Sequence, residues 1–291
     1  MKILQTSLFL PALFALGALA ADGRTVTVAG SDYLPGSLVE ALGEFAAERD
    51  DKLEIELNGS LLAFRDFEEG DADLILVALP YRGPEDFEFP VIPIGYQVGT
   101  IVVNRANPIT SLSVRQLGGL FGSTSENAIS RWANLGLSGP WRERNIQIGY
   151  VDSPDSPAVE LFSARFLDND PIRPGIQAFS STVRLESFVA NNDAAIGLLD
   201  ALPLSGDLKT IQIEAGDGGV SFGPTLENVN FGDYPFSLGY YVCVPVSQHR
   251  FLTPYLEFLL SDEVAGLLQE EGFFPLLKSR RGQLINELPR G

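Results

Sequence analysis

Cysteine, histidine and basic side chains are scarce in this sequence. The 291 residues include one Cys and one His. A single cysteine cannot close a disulfide within the chain, and a Cys/His zinc site needs several such ligands. We interpret His249, which lies in a polar turn, as a solvated side chain and not as a catalytic imidazole. The lone Cys243 follows an apolar strand pattern, which predicts a buried thiol.

Basic residues are outnumbered, with 20 Lys and Arg against 38 Asp and Glu, for a formal net charge of −18. A strongly acidic chain is repelled by phosphate backbones, so no nucleic-acid partner is expected. The sequence is 45% hydrophobic, which indicates a globular protein with a substantial core. Its length suggests two domains or one large one.

The N-terminus has the three parts of a secretory signal. Lys2 supplies a positive charge, residues 8–19 are largely apolar, and Ala18 and Ala20 flank Leu19 in a cleavage pattern. We predict a signal peptide at residues 1–20 and a periplasmic mature chain. The sequence has no cysteine near the cleavage site, so we do not expect a lipid anchor. An uncleaved membrane anchor is the alternative.

Strands and helices alternate along the rest of the chain. Periodicity predicts strands at residues 25–29, 53–57, 74–79, 100–103, 146–151, 194–199 and 238–246. It predicts helices at residues 35–48, 61–69, 113–121, 125–135, 157–166, 183–190, 251–260 and 262–270. The glycine-rich residues 216–223 predict a surface loop. Buried strands between helices favour parallel sheets covered on both faces.

Three predicted strands end in a loop with a serine just before a helix. These serines are Ser31, Ser60 and Ser156, the last followed by Pro157 in an N-cap pattern. Helix N-termini expose free N–H groups, so converging loops would form an anion site. Alternatively, each serine caps only its own helix. No nucleophile–base pair or metal-ligand cluster is evident, so we expect no enzyme, no metal and no cofactor.

Several segments in order resemble a known family. They are GDYPFSLGYYV (residues 232–242), the closing segment 251–276, NRANPITSLSVRQLGGL (residues 104–120) and VAGSDYLPGSLVEALGEF (residues 28–45). The chain resembles the phosphate-binding proteins of bacterial ABC importers, within the type II periplasmic-binding-protein group. The resemblance covers essentially the whole mature chain.

This resemblance implies an α/β Venus-flytrap fold of two lobes, each a mainly parallel sheet flanked by helices. Lobe 1 would comprise residues 21–99 plus 241–291, and lobe 2 residues 100–240. A small anion, phosphate above all, would bind between the lobes of a monomer. The closed form would be presented to an ABC permease in the inner membrane.

The resemblance also implies the ligand contacts, with some departures from the family pattern. The candidate ligand-binding residues are Ser31, Asp32, Ser60, Ser153, Ser156 and Arg82. The third loop lacks the Arg and the Ser-Gly-Thr of the family, and Asp152 and Asp155 stand there instead. These two carboxylates would repel a doubly charged anion. The alternatives are therefore a receptor for a different small solute and an interaction or sensor protein that has lost its pocket.

Overall fold

The computed structural model describes residues 23–79, 89–123, 128–154, 156–214 and 219–288, apart from the side chains of Gln248 and His249. The predicted signal peptide, Arg82, Asp155 and the His249 side chain therefore lie outside the described part. No helix within that part has the length and apolar character needed to cross a membrane.

Strands and helices alternate through most of the described chain. The strands are β1 (Thr25–Gly30), β2 (Lys52–Glu56), β3 (Leu74–Leu79), β4 (Val91–Val98), β5 (Thr100–Asn104), β6 (Ser111–Ser113), β7 (Gln147–Val151), β8 (Gln177–Phe179), β9 (Ala195–Leu199), β10 (Leu208–Thr210), β11 (Gln212–Glu214), β12 (Ser221–Phe222), β13 (Ser237–Cys243) and β14 (Phe274–Pro275). The α-helices are α1 (Gly36–Glu48), α2 (Ser60–Glu69), α3 (Val114–Phe121), α4 (Ala158–Phe166), α5 (Thr182–Ala190), α6 (Leu226–Asn230), α7 (His249–Leu259), α8 (Asp262–Glu270) and α9 (Lys278–Glu287).

The strands form two principal sheets, which confirms the predicted two-lobed α/β class. In the described residues the first sheet has the order β14-β4-β13-β3-β1-β2, and the second has the order β10-β5-β9-β7-β8. A small third sheet has the order β12-β11-β6. Helices flank the principal sheets because inner strands such as β3 and β9 are apolar on both faces.

Strand β3 shows how helices cover both faces of the first sheet. Leu74 and Leu76 belong to the cluster that includes Leu38 and Leu42 of α1. The alternate residues of the strand pack with Phe67 of α2 in a separate cluster on the other face. This arrangement follows from the period of two along a strand, which points successive side chains to opposite faces.

Each principal sheet is mixed, which corrects the expectation of mainly parallel sheets. In the first sheet, β1 pairs in parallel with β2 and β3, but β13 is antiparallel to β3 and β4. In the second, β7 pairs in parallel with β8 and β9, whereas β5 is antiparallel to β9 and β10. Strands β13 and β5 adjoin the segments that cross between the sheets, and both run antiparallel to their neighbours.

The two crossing segments are tied together at Gly99. Its N–H donates to the Phe236 carbonyl at 3.0 Å, and the Tyr234 hydroxyl donates to the Gly99 carbonyl at 2.9 Å. Phe236 is fully buried. Its ring centroid lies 5.5 Å from that of Phe162 and 5.4 Å from that of Phe166, both on α4. The passage between the sheets is thus a packed junction.

Some local predictions were wrong. The helix predicted at residues 125–135 is a 3-10 turn over Trp132–Leu135, and residues 124–127 lie outside the described part. Of the predicted loop at residues 216–223, residues 216–218 lie outside the described part, and the remainder includes β12, which pairs with β11. The cap of α4 is Pro157 and not Ser156, whose hydroxyl accepts the Ala158 N–H at 3.3 Å. Proline has no N–H, so the first backbone donor of this helix end is the Ala158 N–H, which Ser156 accepts.

Cys243 is a free, fully buried thiol, as predicted. Burial raises its pKa to about 12, so the thiol stays protonated and unreactive. We expect a disulfide reagent such as DTNB to leave the native protein unmodified and to react with one thiol per chain in urea. Rapid labelling of native protein would contradict this burial.

Candidate functional site

A cavity of about 290 Å³ lies between the two lobes. The first lobe and α4 provide its described lining: Ser31, Asp32, Tyr33, Ser60, Ala78, Pro157, Glu160, Leu161, Ala164 and Leu238. Ser31 directly follows β1, and Ala78 lies near the end of β3, which is parallel to β1. The cavity is therefore at the carboxyl edge of a parallel pair, where α/β sheets commonly bind ligands.

The first loop is fixed by backbone contacts. Ser31 is buried, and its N–H donates to the Leu76 carbonyl at 2.8 Å. Its hydroxyl oxygen accepts the Tyr33 N–H at 3.2 Å. The hydroxyl proton remains available to a ligand because accepting a bond does not use it.

The second loop joins the N-terminus of α2 to the sheet. The Ser60 hydroxyl donates to the Ala78 carbonyl at 3.1 Å and accepts the Ala78 N–H at 3.0 Å. The Gly59 N–H donates to the Gly30 carbonyl at 3.0 Å. Ser60 thus directs its proton to the protein and shapes the cavity wall.

The third loop is placed differently. Ser153 and Ser156 are not among the described residues that line the cavity, although Pro157, directly after them, is. The Ser156 N–H donates to the Ser153 carbonyl at 3.1 Å, which closes a turn before α4. The structure therefore brings Ser31, Asp32 and Ser60 together, with the start of α4 opposite them.

Two carboxylates face this cavity, and its described lining contains no Lys, Arg or His. A Cβ on Gly59 would lie 4.0 Å from Asp32 Oδ1, which places this carboxylate at the N-terminus of α2. Glu160 is in the first turn of α4. The partial positive charge of a helix N-terminus stabilises each carboxylate. The cavity therefore offers acceptors to a ligand that can donate protons.

Tyr33 supplies a donor next to these acceptors. Burial raises the pKa of its phenol, and the negative charges of Glu160 and Asp32 raise it further. The phenol therefore stays protonated at neutral pH. Sequence reasoning missed both Tyr33 and Glu160. The Tyr33 position directly after Asp32 was the available signal, whereas the approach of Glu160 depends on how the lobes meet.

Arg165 lies one turn beyond Leu161 on α4, next to the cavity but not among its described lining residues. Its Nε atom is buried and has no hydrogen-bond acceptor in the described structure. Burial lowers the pKa of this guanidinium, with a small opposing effect from Tyr241 of β13. A buried donor without an acceptor is costly, and an anion would relieve that cost. Nothing in the sequence pattern distinguished this arginine.

The described residues contain no group of three or more His, Cys, Asp or Glu side chains arranged to hold a metal ion. The Asp73 carboxylate accepts the Thr27 N–H at 2.9 Å and the Thr27 hydroxyl at 3.0 Å. This carboxylate thus ties β1 to the start of β3.

Two α/β lobes with a small cavity between them define the class of bilobal binding proteins. The chain belongs to the PBP superfamily, whose domain model matches residues 18–263.

Individual relatives agree with this assignment. The chain is 23% identical to the phosphate-binding protein PstS of Pseudomonas aeruginosa over 205 residues, which cover 68% of this chain and 63% of the relative. It is 24% identical to protein SphX of Synechococcus elongatus over 280 residues, which cover 91% of this chain and 81% of the relative. The crystal structure of PstS from Borrelia burgdorferi has the same fold, with a TM-score of 0.72 at 14% identity, covering 87% of this chain and 99% of that one.

Proposed function

We propose that the protein is a solute-binding receptor that holds inorganic phosphate in the cavity between its lobes. The observation that carries this proposal is the cavity itself, where Ser31 and Asp32 of the first lobe face α4. Family membership supports a receptor, and the Pseudomonas relative is named for phosphate binding. No part of the proposal requires catalysis.

The chemistry of the cavity suggests how phosphate would be held. The hydroxyls of Ser31 and Tyr33 would donate to phosphate oxygens, and Asp32 and Glu160 would accept phosphate protons. Arg165 would supply a positive charge from the adjoining turn of α4. Ser60 would hold the wall in place.

Ser153, Ser156 and Arg82 remain proposed contacts. The serine loop lies directly before α4, so a movement of the lobes would bring it to the ligand. Arg82 follows β3, whose Ala78 lines the cavity.

We further propose that residues 1–20 direct export to the periplasm. There the receptor would act as a monomer and deliver its ligand to an ABC permease. Lobe 1 would comprise residues 21–99 plus 241–291, and lobe 2 residues 100–240. The contacts between Gly99 and Phe236 support a hinge at the crossing.

Calorimetric titration of phosphate into protein that has been unfolded, stripped of ligand and refolded tests the proposal. We expect phosphate to bind with a Kd of about 1 µM or below, an affinity in the ordinary range for specific small ligands. Sulfate should give no comparable heat. Protein that does not bind phosphate but binds a neutral, donor-rich solute would favour the receptor for a different solute, which the two carboxylates would suit.

A cavity-filling variant tests where phosphate binds. Ala164 is exposed and lines the cavity, so Ala164→Trp would place an indole in the ligand space. We expect the affinity for phosphate to fall by at least about tenfold, since each hydrogen bond lost to a charged ligand costs about 1.5–3 kcal/mol. Ala47→Trp, at an exposed position on α1, is the matched control. Equal affinities in the two variants would place the binding site elsewhere.

A further inference from the structure

The described part of the molecule also contains a larger cavity, of about 620 Å³, away from the site between the lobes. Strands β4 and β13 form its floor, and α6 and the start of α9 form its walls. The two cavities share no described lining residue. Its volume is within the range of small-molecule pockets, about 300–1,000 Å³.

The interior of this cavity is mostly apolar and aromatic. Tyr96, Phe231 and Tyr241 line it, together with Leu277 and Leu284. Phe231 is 70% exposed, which is unusual for so large an apolar side chain in a globular protein. An apolar ligand body would cover this ring and remove it from water.

The walls are fixed by the protein's own hydrogen bonds. The Asn230 amide nitrogen donates to the carbonyls of Leu226 and Pro275 at 2.9 and 3.1 Å, and its oxygen accepts the Leu277 N–H at 3.0 Å. Asn230 thereby holds α6 against the segment that enters α9. A preformed site of this kind loses little entropy when it binds a ligand.

A cation with no ion-pair partner in the described part of the chain lies at the edge of the cavity. Three cations occupy the first turn of α9, near the positive end of the helix dipole, where positive charge is unfavourable. Asp262 binds Lys278 at 2.6 Å and also pairs with Arg281. Arg280 lines the cavity, is exposed, and has no ion-pair partner among the described residues.

We propose that this second cavity binds an amphipathic carboxylate. The apolar body would pack on Tyr96, Phe231 and Tyr241, and the carboxylate would pair with Arg280. An inorganic anion would leave the apolar walls unused, and a neutral hydrocarbon would leave Arg280 unpaired. The net charge of −18 disfavours non-specific attachment of anions, so a preference for carboxylates would be local. The site is independent of phosphate binding between the lobes.

Calorimetric titration of decanoate, octanoate and decanol into the mature protein tests this site. We expect decanoate to bind more tightly than octanoate, by about fourfold for each methylene that is fully buried. Arg280→Gln should weaken decanoate by about fivefold, the upper range for an exposed ion pair, and leave decanol unchanged. Arg184→Gln, at an exposed arginine on α5, should change neither affinity.

A second variant tests whether decanoate and decanol bind in this cavity. Gln283 is exposed and lines the cavity, so Gln283→Trp should fill it and weaken both ligands. The proposal fails if decanoate does not bind, if Arg280→Gln leaves its affinity unchanged, or if Gln283→Trp has no effect. Retention of phosphate binding by the variants would show that the lobes are intact.

Discussion

Replacing Gly99 with alanine is expected to lower the free energy of unfolding by about 3 kcal/mol, the upper part of the usual range for overpacking. An ideal Cβ at this position would lie 2.1, 2.3 and 2.6 Å from three ring carbons of Phe236. The ring cannot easily retreat, because it is fully buried against Phe162 and Phe166. The backbone bonds at Gly99 also oppose a shift of the chain. The midpoint of urea denaturation measures the effect.

Two comparisons separate this clash from a general effect of alanine. Gly266 lies inside α8, and a Cβ there would meet no atom within 4 Å. Gly266→Ala should therefore leave stability unchanged or raise it by up to about 1 kcal/mol. Combining Gly99→Ala with Phe236→Leu should cost less than the sum of the two single changes, because the smaller side chain leaves room. Strict additivity would show that the methyl group and the ring do not collide.

Local sequence signals predicted the helices and strands whose conformation depends mainly on neighbouring residues in the sequence. The six apolar residues of β3 were predicted at residues 74–79 and occur there. Helix α8 was predicted with its observed bounds, and the Ser261 hydroxyl accepts the Val264 N–H at its start. In both cases the information is contained within a few neighbouring residues.

Elements that depend on distant partners were missed. Pro93 and Gly95 interrupt the alternation of β4, which nevertheless pairs with β13 on both sides of a register shift at Ile94. Helix α9 is too polar for a clear apolar stripe, and its buried face contains Arg281 and Leu284. The Arg281 guanidinium is tolerated there because it donates to the Leu276 carbonyl at 2.6 Å and pairs with Asp262. Only tertiary structure supplies these partners.

The residues of the candidate site also fall into those that local sequence predicts and those that depend on tertiary structure. Ser31, Asp32 and Ser60 could be identified because each loop follows a predicted strand, and parallel strands end at one edge. Glu160 could not, since it belongs to α4 and reaches the cavity only through the packing of one lobe on the other. The sequence likewise contained no sign that the Ser60 hydroxyl would bind Ala78.

Removing both carboxylates from the cavity should abolish most of its discrimination between phosphate and sulfate. Sulfate has no proton to donate at neutral pH, so Asp32 and Glu160 would repel it. Unrelieved juxtaposition of like charges costs several kcal/mol, or a factor of about one hundred or more. In Asp32→Asn/Glu160→Gln the amides can donate as well as accept. We expect sulfate affinity to rise by about a hundredfold, to within about tenfold of phosphate, in calorimetric titrations.

The pH dependence gives the same prediction a second readout. Between about pH 8 and about pH 6 a phosphate group gains its second proton. Because two carboxylates need two donated protons, the unmodified protein should bind phosphate more tightly as the pH falls, and the double variant should not. Asp207→Asn/Glu40→Gln removes the same charge at exposed positions outside the cavity and controls for long-range electrostatics. The cavity variant could still exclude sulfate while the control behaves like the unmodified protein. In that case selectivity does not arise from proton acceptance by Asp32 and Glu160, and Arg165 is the next residue to test as its source.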